Sequence, residues 1–177
     1  MRICIARCIL ALTASLLTAG ATSAGGGIFS EVRLGVLAHD PFAQKEDGVD
    51  INAELYFDDF DWFEGSWDVR PSLGASVNTD GDTSKVYLDL NFGGPISDSV
   101  FVELGAGVAV HDGETDTLDP DRKELGSHVL IHLAANIGVM LADTVSLSIY
   151  VDHVSNAGIE EHNEGLETAG LRIGFKL

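Results

Sequence analysis

From residue 30 to the C-terminus, apolar and polar side chains alternate with a period of two, the spacing of β-strands whose two faces meet different surroundings. In a first strand Val32, Leu34, Val36 and Ala38 share a face, with Glu31 and Arg33 opposite. A second sets Val49, Ile51, Ala53, Leu55 and Phe57 against Asp50, Asn52 and Glu54, and a third Trp67, Val69, Leu73, Ala75 and Val77 against Asp68, Arg70, Ser72 and Ser76. The fourth opposes Val86, Leu88, Leu90 and Phe92 to Lys85, Asp89 and Asn91; the fifth aligns Val100, Val102, Leu104, Ala106, Val108 and Val110 away from Glu103 and glycines. The sixth carries Val129, Ile131, Leu133, Ala135, Ile137 and Val139 opposite His128, His132 and Asn136. Val145, Leu147, Ile149 and Val151 form the apolar row of the seventh, facing away from Ser146, Ser148 and Asp152. In the eighth, Ala169, Leu171, Ile173, Phe175 and Leu177 oppose Thr168, Arg172 and Lys176. The pattern predicts an all-β chain of eight antiparallel strands, an even number as a closed bacterial membrane barrel requires.

The apolar rows could line the inside of a soluble lipocalin-like barrel or the outside of a transmembrane one. Two features favour the second. The polar rows carry both signs of charge (Arg33, Arg70, Lys85, Arg172 and Lys176 against Glu31, Glu54, Asp68, Asp89 and Glu103), as a self-neutralising interior needs. The connections also alternate: Gly94 to Asp98 and Leu141 to Asp143 are short, whereas His39 to Gly48, Thr79 to Ser84, His111 to Leu125 and Ala157 to Glu164 are mostly longer and polar. Asp58 to Ser66 is long for a periplasmic turn, and its Phe60, Trp62 and Phe63 suit an interfacial aromatic girdle.

Before these strands, Arg2 and Arg7 precede an apolar run from Ile9 to Leu17 and the small residues Thr22-Ser23-Ala24. This predicts a signal peptide over 1–24, cleaved after Ala24, and a single barrel domain over 25–177. The apolar run is too short for a retained transmembrane helix, which needs roughly 20 residues. Both cysteines, Cys4 and Cys8, fall in the leader, so the mature chain has no disulfide and no thiol chemistry. The net charge of −18 becomes near −20 once Arg2 and Arg7 are removed, which argues against a nucleic-acid partner.

Candidate chemistry lies in the last 25 residues or so. His153 and Ser155 continue the outward row of Val145 to Val151, and Glu167 begins the row of Ala169, Leu171 and Ile173. With both termini periplasmic, the seventh strand runs outward and ends at Ser155, so all three groups fall on the lipid-facing wall near the extracellular rim. Such polar groups are costly there unless mutually hydrogen-bonded. The workable order is Glu167 to one ring nitrogen of His153 and Ser155 to the other, the parts of a serine-hydrolase triad. A His-x-Ser pair at a strand end is otherwise an interfacial polar cap.

The segment His153-Val154-Ser155-Asn156-Ala157-Gly158, followed by Asn163, Gly165 and a glutamate twelve residues after the serine, closely resembles the signature of the lipid A 3-O-deacylase (PagL) family. Leu125-Gly126-Ser127, at the start of the sixth strand, adds weaker support. The resemblance implies a calcium-independent esterase, without cofactor or metal, that removes the 3-linked hydroxyacyl chain of lipid A in the outer membrane. In that role Ser155 is the nucleophile, His153 the general base and acid, and Glu167 the orienting carboxylate. Asn156, Asn163 and backbone N–H groups near Ala157 and Gly158 are the candidates for oxyanion stabilisation or substrate positioning. The resemblance also leaves room for a homodimer.

The chain ends Phe175-Lys176-Leu177 rather than in Phe, an imperfect form of the usual barrel terminus. Glu160, Glu161 and Glu164 should repel lipid A phosphates unless divalent cations bridge them. The acidic run Asp112, Glu114, Asp116, Asp119 and Asp121 lacks EF-hand spacing and suits a solvated loop. His128 and His132 look like a metal pair but have no clear third ligand, and a hydrogen-bonded lumen network is expected instead. His39 and His111, at strand ends, are expected to be solvated. The competing function is a non-enzymatic barrel, an adhesin or surface-binding protein.

Overall fold

A computed structural model describes residues 28–60 and 66–177, so the leader expected over 1–24 and the aromatics Trp62 and Phe63 lie outside the described residues. The strands are β1 (Phe29–His39), β2 (Val49–Phe57), β3 (Asp68–Asn78), β4 (Lys85–Pro95), β5 (Val100–His111), β6 (Val129–Ala142), β7 (Val145–Ser155) and β8 (Leu166–Lys176). Each pairs antiparallel with its neighbours, and β1 pairs with β8 to close the barrel. Closure satisfies the backbone within the wall, the condition for strands in hydrocarbon. Connections 96–99 and 143–144 are shorter than expected, because β4 continues to Pro95 and β6 to Ala142.

The period-2 rows face as the sequence requires. In β7, Ser146, Ser148, Tyr150 and Asp152 are buried while Leu147, Ile149 and Val151 are exposed. The exterior is a continuous apolar band that includes Val36, Leu88, Leu104, Ile137 and Leu171. A soluble barrel has the opposite arrangement, so the lipocalin-like alternative falls. Near the end that carries the short turns, Phe29 meets Phe57 (5.1 Å between centroids) and Trp67 meets Phe92 (5.2 Å), both at an outer-wall interface height. Phe60 lies against β3 there, its N–H donating to Val69 O at 3.0 Å.

Inside, charges are matched rather than solvated. Arg33 contacts Glu31 and Glu103, each at 2.7 Å; Arg70 bridges the same two carboxylates at 2.8 and 2.9 Å; Arg172 pairs with Glu54. Lys85 reaches Asp152 at 2.7 Å. Buried ions persist only with such partners, since an uncompensated one is strongly destabilising. At the rim with the long connections the inward face turns apolar: Tyr87, Ala109, Leu125, Leu130, Val154 and Leu166 form a buried cluster under the loops. There an apolar layer closes the barrel beside the buried polar groups of the folded-over loops.

Two histidine expectations fail. His39 is not solvated: the 40–48 connection folds over the mouth, and its ring lies 2.9 Å from Asp50 Oδ1 and 3.1 Å from Glu46 Oε2. His128 does not share the lumen with His132. It precedes β6, is exposed and lies with its ring 5.7 Å from that of His111, itself only partly exposed. His132 alone is inside, 2.8 Å from Asp89, 3.3 Å from Asp152 and stacked on Tyr87.

Candidate active site

The β7–β8 register sets His153 directly opposite Glu167, and the pleat points both side chains outward with Ser155 two residues farther along. The ring Nδ1 is 2.7 Å from Glu167 Oε1, and Nε2 is 3.0 Å from Ser155 Oγ. With the ring proton on Nδ1, the imidazole donates to the carboxylate and accepts from the hydroxyl. On the β6 side the trio adjoins Leu133 and Ile131, exposed apolar residues paired with His153 and Ser155. A polar trio is thus set into an apolar wall, with its internal demands met by its own members.

The lumen braces this spot from behind. Asp152 pairs across to Thr168 and accepts from its Oγ1 at 2.8 Å and its N–H at 3.2 Å. Lys85 Nζ and Tyr150 OH donate to the same carboxylate, at 2.7 and 3.2 Å. Two adjacent cross-strand pairs, Asp152–Thr168 inward and His153–Glu167 outward, therefore fix β7 against β8 at this point.

Beyond Ser155 the chain turns sharply. Ala157 adopts φ 56°, costly for a non-glycine residue, and Gly158 φ 76°. Asn156 holds this turn. Its Oδ1 accepts from Gly158 N–H at 2.9 Å, and its Nδ2 donates to Leu125 O at 3.1 Å and His162 O at 2.6 Å. Its own N–H donates to Asn163 Oδ1 at 2.9 Å. Gly126, at φ +74°, passes so close to His162 that a Cβ there would lie 1.9 Å from the His162 carbonyl oxygen. This accounts for Leu125-Gly126-Ser127: the segment is not part of β6 but the seat on which the loop after Ser155 rests.

Other loop groups tie the rim together. Glu164 ion-pairs with Lys45 at 2.7 Å and accepts from Glu124 N–H at 2.7 Å, so it is not a free anion facing the bilayer. Burial alone would push the Glu46 carboxyl up, but hydrogen bonds from the His39 ring, Lys123 N–H and Thr83 N–H, with Arg122 nearby, hold it down at about 2. In the acidic loop, Asp116 and Glu124 approach opposite nitrogens of His162, at 3.8 and 3.7 Å, where the two loops meet. The bond from Lys123 N–H to Glu46 carries no local sequence signal, because the two residues lie 77 positions apart.

No curated protein sequence matches the chain. The family model for lipid A 3-O-deacylase (PagL) matches residues 32–176. Among solved structures, the chain is similar to the crystal structure of the outer membrane enzyme PagL, at 24% identity and a TM-score of 0.68, over 84% of this chain and 100% of that one. It is also similar to a de novo designed transmembrane β-barrel (9% identity, TM-score 0.53, 86% and 98% covered). The Yersinia pestis outer membrane protein Ail in a nanodisc is a further likeness (12% identity, TM-score 0.51, 85% and 100% covered). At these identities the structural likenesses speak for the fold, an eight-stranded outer-membrane barrel. The family match spans nearly the whole barrel, and by it this chain belongs to the lipid A 3-O-deacylase (PagL) family of ester hydrolases.

Proposed function

We propose that this barrel deacylates lipid A with a Ser155–His153–Glu167 triad worked from its lipid-facing wall. The observation that carries this is the hydrogen-bonded chain from Glu167 through His153 to Ser155 on the outward face, at the rim where the outer leaflet meets it. Ser155 Oγ attacks the carbonyl carbon of the 3-linked hydroxyacyl ester while its proton passes to His153 Nε2. The tetrahedral intermediate collapses, its bond to the sugar oxygen breaks, and His153 returns the proton to that oxygen. A water then gives a proton to His153 and attacks the acyl-serine, releasing the hydroxy fatty acid and restoring Ser155. Glu167 holds the tautomer and stabilises the imidazolium formed in both halves.

Among the oxyanion candidates, Asn156 N–H and Gly158 N–H are taken up by the loop, and the Asn156 side chain by its carbonyl contacts. We assign the role to Ala157 N–H and the exposed Asn163 amide, which is oriented through its Oδ1 by Asn156. A groove of about 140 Å³ lined by Val108, Val129, Ile131 and Ile159 adjoins Ser155 and offers an apolar berth for the acyl chain. The non-enzymatic alternative has no use for a carboxylate, imidazole and hydroxyl in series on an apolar wall. Export to the outer membrane would use residues 1–24 as a cleaved signal peptide.

The test is mass spectrometry of lipid A from cells expressing the chain or Ser155→Ala. The wild type should yield lipid A lacking one hydroxyacyl group and the variant intact lipid A. Intact lipid A in both would refute the activity, and deacylation by Ser155→Ala would refute the nucleophile.

A further inference from the structure

Lys123 belongs to the 112–128 connection, yet it is only 4% exposed. An ammonium is taken out of water only where its partners are fixed. Its Nζ donates to Gly165 O at 2.8 Å and ion-pairs with Asp40 Oδ1 at 2.9 Å. Asp40, at the end of β1, donates its backbone N–H to Glu167 O at 2.9 Å. Lys123 and Asp40 therefore grip the carbonyls on either side of Leu166, which is itself fully buried in the apolar plug. Lys123 is anchored in turn by its N–H on Glu46 Oε1 at 3.1 Å.

The gripped segment bears directly on the triad. Glu167 is its last residue, and Gly165 lies against the imidazole: a Cβ at Gly165 would be 2.4 Å from His153 Cε1. We propose that Lys123 is a positioning residue of the esterase, holding the Gly165–Glu167 strap so that Gly165 seats the His153 ring and Glu167 meets its Nδ1. This rests on the triad reading above. Lys123 acts from beneath the loops and does not line the outer-wall groove beside Ser155. Its loss should therefore slow chemistry and leave substrate capture alone. A displacement of about 1 Å among reacting groups is enough for a rate loss of about 100-fold.

The test uses the full chain in detergent micelles as wild type, Lys123→Met, Gly165→Ala and Ser155→Ala. Folding is checked by β-sheet circular dichroism and thermal melting. Two rates are read: steady-state release of hydroxy fatty acid from lipid A, and phosphonylation of Ser155 by a fluorophosphonate, which reports nucleophile activation without a lipid substrate. Folded Lys123→Met and Gly165→Ala should each lose about 100-fold in kcat and in phosphonylation, with KM within about twofold of wild type. A folded Lys123→Met at wild-type rates, or one altered in KM alone, overturns the proposal. If Lys123→Met does not fold, Gly165→Ala decides: slowed labelling supports the strap, and wild-type labelling overturns it. Failure of the triad is distinct, because then Ser155→Ala itself would still release fatty acid.

Discussion

Replacing Glu167 by Gln removes a charge from the site while keeping its size and an oxygen that can accept from His153 Nδ1. The magnitude follows from the geometry. With Nδ1 and Oε1 at 2.7 Å, the centres of the imidazolium and carboxylate charges are roughly 4 Å apart, an attraction of about 4 kcal/mol at an effective dielectric of about 20. The two side chains are 40% and 24% exposed at the rim, so water screens part of this and about 3 kcal/mol remains. The imidazolium exists only after the proton leaves Ser155, so the loss falls on the transition state and lowers kcat by about 100-fold with KM nearly unchanged. Initial rates of hydroxy fatty acid release from lipid A in mixed micelles measure both constants. A Glu167→Gln enzyme within about threefold of wild type would refute the role given to this carboxylate.

Inside the barrel, Arg172→Met strands the buried Glu54 carboxylate and removes a cation stacked 4.1 Å over the Tyr150 ring. Urea unfolding in micelles should show a loss of about 3–5 kcal/mol, and a change below about 1 kcal/mol would contradict the matched-charge account of the lumen. Glu46 titrates at about 2 against its ordinary 4.5, so its bonds to the 112–128 loop persist above the ordinary value and are lost only as pH falls through about 2. Amide NMR shifts of Lys123 and Thr83 should follow that low midpoint; a midpoint near 4.5 would refute it. N-terminal sequencing of protein from the outer membrane should begin at Gly25, and a retained Met1 would refute cleavage after Ala24.

The barrel was legible because a period-2 pattern records one physical fact repeatedly: every strand separates lipid from a packed interior. The same parity put His153, Ser155 and Glu167 on one face, and antiparallel pairing then brought His153 opposite Glu167. Parity failed where the environment changes along a strand. At the rim Val154, Leu130 and Leu166 point inward into an apolar plug, which a uniform polar lumen does not anticipate. His39 departs from the expected solvation for a related reason, since burial at a strand end depends on how the next loop folds. Asn156 was legible as part of the motif but not as the brace of its turn, whose partners, Leu125 O and His162 O, are set by loop packing. Lys123 was invisible altogether: it meets Gly165 42 residues away, and no local pattern records such a contact.

The central claim is that Ser155, on the outer wall, forms the acyl-enzyme. The purified chain, treated with a fluorophosphonate and digested, should carry the adduct on the peptide containing Ser155, and lipid A deacylation should fall in proportion to that labelling. Full activity with Ser155 modified, or an adduct on another residue that tracks the loss, would contradict the account.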